Sequence, residues 1–197
     1  MKDLKVLGMD LDGTLVKMKL DFKAIRKELD IPNGDTLKYI TSLPRESSEK
    51  MLSLLRDKEV EAANIAELSP GGSEILSYCE ENGIKTVVIT RSSSEAANRT
   101  LEVLGIKVDM IISREHAPPK PSPEPINIVL NHFSLKPYQM AFVGDYLYDI
   151  QAGKAAGVRT ILLTVQERSE EWRPIADFVV QDLYDVLELL KAGRARS

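Results

Sequence analysis

The stretch "KVLGMDLDGTL" (Lys5–Leu15) runs from apolar residues into two aspartates one position apart, followed by Gly13 and Thr14. A short apolar run of this kind reads as a strand covered on both faces of a sheet. A buried strand excludes carboxylates, because an uncompensated buried charge is expensive. Asp10 and Asp12 therefore belong at the strand's end, and something elsewhere in the chain must compensate them.

Similar runs recur at "KTVVIT" (85–90), "DMIIS" (109–113), "QMAFVG" (139–144), "RTILLT" (159–164) and "DFVV" (177–180). Helical patterns separate most of them. Ser69-Pro70 predicts a capped helix with proline at its first position, running through "GGSEILSYCEENG" to a stop at Gly83. "SSSEAANRTLEVLG" has serine caps in front and Gly105 behind; "PEPINIVLNHF", "YDIQAGKAAG" and "DLYDVLELLKAG" complete the series. Strands alternating with helices predict an α/β fold, a Rossmann-like, doubly wound parallel sheet with right-handed crossovers. From Val16 to Leu68 nothing reads as a strand. "DFKAIRKELD" and "TLKYITSL" are helical, and a long pattern from Glu46 to Leu68 places Met51, Leu54, Leu55, Val60, Ala63 and Ile65 near helical spacing. The expectation is a core of residues 1–15 and 69–197, with an all-helical module of residues 16–68 seated over the sheet.

Composition narrows the function classes. The 197 residues are 43% hydrophobic and 28% charged, as in an ordinary globular protein. A net charge of −4 and the lack of a basic stripe argue against nucleic-acid binding. The terminal "GRARS" reads as a frayed end. The single cysteine, Cys79, points to a reducing compartment, and no run resembles a signal peptide or a membrane span, so a cytoplasmic location is expected. Oligomeric state is not legible.

In open parallel sheets, ligands bind at the carboxyl ends of strands, near the point where strand order reverses. Asp10, Asp12, Thr90, Asp145 and Asp149 all sit at or just past predicted strand ends, and Lys120 lies in the loop "APPKPSPEP". Each has an ordinary reading: an Asx turn, a helix cap, a solvated lysine, a carboxylate complementing a helix dipole. Together, carboxylates aimed at one crevice would repel one another unless a cation held them. Oxygen donors without His or Cys favour magnesium.

At this spacing the chain resembles the haloacid dehalogenase superfamily of hydrolases. "DLDGTLV", "VVIT" ending in Thr90, Lys120 and "VGDYLYDI" are similar to its four motifs, in order. The helical module is similar to the cap of phosphoglycolate phosphatase-like members. The resemblance implies a phosphatase acting on a small phosphorylated metabolite, with Asp10 as nucleophile and Asp12 as general acid/base. It also implies Mg²⁺ held by the Asp10 side chain, the Asp12 backbone carbonyl and Asp145, with Asp149 in support. Thr90 and Lys120 join the catalytic set, and Gly13, Thr90, Arg91 and Lys120 the substrate-binding set. Arg91 departs from the pattern, since many relatives carry Asn or Ser there.

A phosphate monoester is a dianion, so an anionic nucleophile needs nearby positive charge. Lys120 supplies some, Thr90 and backbone N–H groups near Gly13 can donate to phosphoryl oxygens, and crowding among like charges would keep Asp12 protonated. Dehalogenation gains little from Asp12 or the Asp145/Asp149 pair. A phosphosugar mutase uses the same residues and stays open as an alternative. So does a catalytically silent ligand-binding relative, whose mark would be a lost nucleophile or metal ligand. A response-regulator receiver fits neither the motif order nor the insertion. Lys17, Lys19, Arg26, Arg45 and Arg91 are candidates to meet an anionic leaving group. His116 and His132 read as surface or loop residues, and Trp172 with Pro174 as packing for a late loop.

Overall fold

A computed structural model describes residues 1–18, 20–166 and 169–195. Its main sheet has six parallel strands. In chain order these are β1 (Val6–Met9), β4 (Lys85–Ile89), β5 (Met110–Ile112), β6 (Met140–Gly144), β7 (Arg159–Leu163) and β8 (Phe178–Val180). They are arranged β5-β4-β1-β6-β7-β8. The chain starts in the middle, winds out through β4 and β5, then returns to β6 and winds out the other way. The order reverses around β1, so the ends of β4, β1 and β6 lie side by side.

Period-two alternation divides the strands between two layers. Leu7, Met9, Val88 and Val143 face one layer, where they meet Ile75 and Cys79 of α4 (Gly72–Glu81) and Ala97 and Leu101 of α5 (Ser94–Leu104). Leu183, Val186 and Leu190 of α9 (Leu183–Ala195) complete that layer. Val6, Val87, Ile89 and Phe142 face the other, against Ile126 and Val129 of α6 (Glu124–His132) and Ala152 of α7 (Leu147–Ala156). This is the doubly wound α/β fold expected. Trp172, at the end of α8 (Ser169–Trp172), is buried with Ile150 and Leu162.

Between β1 and α4 stand α1 (Phe22–Glu28), α2 (Thr36–Ser42) and α3 (Arg45–Ala63), which share a small core of Ile25, Ile31, Ile40 and Leu55. Asp21 and Asp35 cap the first two through side-chain bonds to backbone N–H groups.

Three expectations need correction. The segment 16–68 is not free of strand: β2 (Val16–Lys17) pairs antiparallel with β3 (Glu67–Leu68), forming a stem beneath the helices. Two-residue strands carry no periodicity to read. The α4 helix begins at Gly72 rather than at Pro70, because Ser69–Gly72 forms a hydrogen-bonded turn and Gly71 adopts φ +84°. Leu54 and Ile65 are exposed, at 41% and 59%, since α3 ends at Ala63 and turns only Leu55, Ala62 and Ala63 of its apolar residues fully inward. In the terminal basic run, α9 continues to Ala195; Arg196 and Ser197 lie outside the described residues.

Candidate active site

Backbone geometry brings the carboxylates together. The Asp10 N–H donates to Val143 O at 2.9 Å, so ladder pairing extends one residue past β1 and sets Asp10 beside the end of β6. Asp145 follows that end directly. Gly13 has φ +87°, and a Cβ there would fall 2.4 Å from Asp145 Oδ2. Only glycine permits both the turn and the approach. Gly144 is equally constrained, because a Cβ would stand 2.2 Å from that of Asp149.

Lys120 reaches in from the loop after β5 and is buried. Its ammonium donates to Asp10 Oδ1 at 2.5 Å and to Ile89 O at 2.8 Å, and lies 2.6 Å from Asp149 Oδ1. Burial works against this charge, yet Asp10 and Asp149 outweigh it and raise the lysine's pKa. Oxygens of Asp10, Asp145 and Asp149 all lie within 4.8 Å of one another. Burial, reinforced by its acidic neighbours against the pull of Lys120, pushes Asp10 well above the ordinary carboxylate range. Burial and Asp149 push Asp145 up to about 6. One lysine does not balance this much negative charge. The buried all-oxygen donor set fits a hard divalent cation.

Asp145 is further held by Thr14 Oγ1 at 3.3 Å and by the Gln166 side-chain amide. Asp149 Oδ2 accepts from the Tyr146 N–H at 3.0 Å. Asp12 differs: Ser92 Oγ donates to its Oδ2 at 2.6 Å, while Oδ1 is buried with no hydrogen-bond partner. Burial is the main cause that raises Asp12 to about 6, with Glu59 and Asp145 adding to it and Ser92 opposing. Crowding among like charges is thus the smaller cause, not the leading one. Thr90, just past β4, accepts from the Ser92 N–H at 3.0 Å, which leaves its own hydroxyl proton to donate.

Asp10, Asp12, Thr90, Arg91, Lys120, Asp145 and Asp149 line one cavity of 640 Å³, roofed by residues of α1, α2 and α3. Of the basic candidates, Arg26 also lines it. Lys17 and Arg45 do not; Arg45 is exposed and pairs with Glu49 at 2.7 Å. Lys19 lies outside the described residues. Arg91 is engaged: one guanidinium nitrogen reaches both Asp35 oxygens, at 2.6 and 2.8 Å, and the group sits over the Tyr148 ring. Ser92, Gln166, Thr14, Asp35 and Glu59 were not singled out in the sequence. Only Ser92, a hydroxyl two positions after Thr90, carried a local signal. His116 accepts from the Ser113 N–H at 3.0 Å, a loop-bracing role away from this cavity.

The model of the haloacid dehalogenase-like hydrolases matches residues 15–163. An uncharacterised hydrolase of Saccharomyces cerevisiae is 30% identical over 203 residues, spanning 97% of this chain and 93% of the relative. A phosphoglycolate phosphatase of Haemophilus influenzae is 26% identical, spanning 94% and 98%. A solved hydrolase from Pseudomonas syringae shares the fold with a TM-score of 0.81 at 20% identity, covering 95% of this chain and 98% of its own. With the family model matching most of its length and a yeast hydrolase matching nearly all of it, the chain belongs to the haloacid dehalogenase-like hydrolases.

Proposed function

We propose that this hydrolase is a Mg²⁺-dependent phosphatase of small phosphate monoesters, working through an aspartyl-phosphate at Asp10. The observation that carries the reading is the Lys120 ammonium, 2.5 Å from Asp10 and 2.6 Å from Asp149, at the floor of a cavity large enough for a metabolite. Lys120 orients the Asp10 carboxylate and lowers the repulsion between it and an incoming phosphate dianion. Attack by a free Asp10 oxygen on phosphorus forms the aspartyl-phosphate and breaks the ester bond. Thr90 Oγ and the N–H groups near Gly13 donate to the phosphoryl oxygens. Asp12, raised to about 6, gives its proton to the leaving alkoxide and then takes one from water. Mg²⁺ would supply the added charge neutralisation that four carboxylates require, and Asp10, Asp145 and Asp149 would hold it. Helices α1–α3 act as a cap that shields the phosphoenzyme from bulk water and meets the leaving group. A relative named phosphoglycolate phosphatase supports this substrate class.

The test combines metal and intermediate. Hydrolysis of a panel of phosphate esters should require Mg²⁺, stop in excess chelator and return on Mg²⁺ addition. Acid-quenched mass spectrometry during turnover should place a phosphate on the peptide containing Asp10. Full activity in chelator, or a phosphate on any other residue, would overturn the reading.

A further inference from the structure

Two arginines line the cavity, and their situations differ. Arg91 has its charge answered by Asp35 and its face covered by Tyr148. Burial works against it, but the bonds from Arg91, the Lys38 N–H and Tyr148 hold the Asp35 carboxyl below its ordinary range, so the pair stays ionised, although Arg91 Nε is buried without an acceptor as Arg26 Nε is. Arg26, on α1, makes one long bond among the described residues, from Nη1 to Thr36 Oγ1 at 3.5 Å. Its Nε is buried without an acceptor. A guanidinium carries five donors, and leaving one buried and unmade costs on the order of 1–3 kcal/mol.

The cavity's acids do not answer it. Lys120 takes Asp10 and Asp149, Ser92 takes Asp12, and Thr14 with Gln166 holds Asp145. Glu59 is spent on Arg114 at 2.5 Å and on the Ser93 N–H at 3.0 Å. A position in the last turn of α1 would suit any cation through the helix dipole. The dipole does not explain why the side chain turns into the cavity and leaves Nε buried and unpaired.

We infer that Arg26, with the Thr36 hydroxyl beside it, is the specificity-determining receptor for a second anionic group, a carboxylate or phosphate on the leaving group of the substrate. The inference rests on the phosphatase reading and narrows it: the preferred ester carries negative charge at both ends, one held by Lys120 and its surroundings, the other by Arg26. A guanidinium matches either oxyanion with paired donors, and Nε is one of those donors. Arg91, whose charge Asp35 already answers, holds the helical module to the core instead.

Binding to the Asp10→Asn protein, which lacks the nucleophile, separates the two ideas. Calorimetry compares phosphoglycolate with ethyl phosphate, and fructose 1,6-bisphosphate with fructose 1-phosphate, so that two spans are covered. The doubly anionic member should bind at least about tenfold tighter in one pair or both. Adding Arg26→Gln should bring that ratio close to one, and Arg26→Lys should retain part of it. Arg45→Gln, at an exposed site outside the cavity, should leave it unchanged. Equal affinities within both pairs, or a preference abolished by Arg91→Gln and not by Arg26→Gln, would overturn the inference. Failure of the phosphatase reading looks different: no turnover and no phosphoenzyme in the unaltered protein, whatever the binding ratio.

Discussion

Asp10 and Asp12 stand one residue apart, yet their surroundings differ. Asp10 faces a full ammonium at 2.5 Å, whereas Asp12 receives a single neutral hydroxyl at 2.6 Å and keeps its other oxygen bare. Lys120 opposes the rise that burial imposes on Asp10 and holds its carboxylate in place, whereas Asp12, at about 6, can hold or release a proton near neutrality. A good leaving group such as p-nitrophenolate needs no proton, but hydrolysis of the aspartyl-phosphate needs a base whatever the substrate was. Asp12→Asn should therefore give a rapid burst of p-nitrophenolate, then slow turnover with trapped phosphoenzyme. Asp10→Asn should give neither burst nor label, as rapid-mix kinetics with acid quench will read. Turnover in Asp10→Asn without a burst in Asp12→Asn would reverse the assignment. These two aspartates, with Thr90, Asp145 and Asp149, were legible because strand-end position and chemical type coincide along the chain, and Lys120, in a loop, through its place among the four motifs. Gln166 and Asp35 were not, since their partners, Asp145 and Arg91, are 21 and 56 residues away and no local pattern announces them.

The central strands β4, β1, β6 and β7 were legible for a comparable reason: each is an apolar run buried almost throughout, and the helices between them carry their own stops. What periodicity did not show is how the sheet is tied at its flanks. Asp109, just before β5, accepts from the Thr86 N–H at 2.8 Å and pairs with Lys85. Asp177, just before β8, accepts from the Thr160 N–H at 2.9 Å and pairs with Lys154. Each carboxylate thus fixes an outer strand's entry against the strand beside it. Burial raises both pKa values, but the hydrogen bonds outweigh it and leave both below the ordinary 3.8. A depressed folded-state pKa contributes stability that is complete above the unfolded value and disappears as pH falls through the folded one. Asp177→Ala should therefore cost about 1 kcal/mol near neutral pH, chiefly through the lost bonds to Thr160. The difference from the unaltered protein should shrink only below about pH 4, where the unfolded carboxyl begins to protonate. Urea denaturation across pH 3–7 measures it, and a difference that persists undiminished at pH 3 would mean that charge is irrelevant there.

The helical module and the core meet at two places of unequal strength. Near the end of α3, Glu59 forms a buried ion pair with Arg114 and accepts from the Ser93 N–H, while Arg99 Nε donates to Asn64 Oδ1 at 2.7 Å. Both charges of this pair are almost wholly buried, and leaving either one buried without the other costs on the order of 3–5 kcal/mol. The β2–β3 stem lies at this same end of the module. At the other place, Asp35 before α2 meets Arg91 at the cavity mouth, where both side chains retain contact with water. A partly solvated pair is worth roughly 1 kcal/mol, so opening should release Asp35 first and leave the Glu59 end fixed. The module then tilts rather than detaches. Spin labels at Lys38→Cys on α2 and Gln151→Cys on α7 would report the moving side, and labels at Glu61→Cys and Gln151→Cys the fixed one; Cys79 is buried and stays unlabelled. Asp35→Ala should lengthen and broaden the first distance distribution and leave the second unchanged. An equal shift in both would mean that the module departs as one body, and no shift in either would mean that Asp35–Arg91 does not hold it closed.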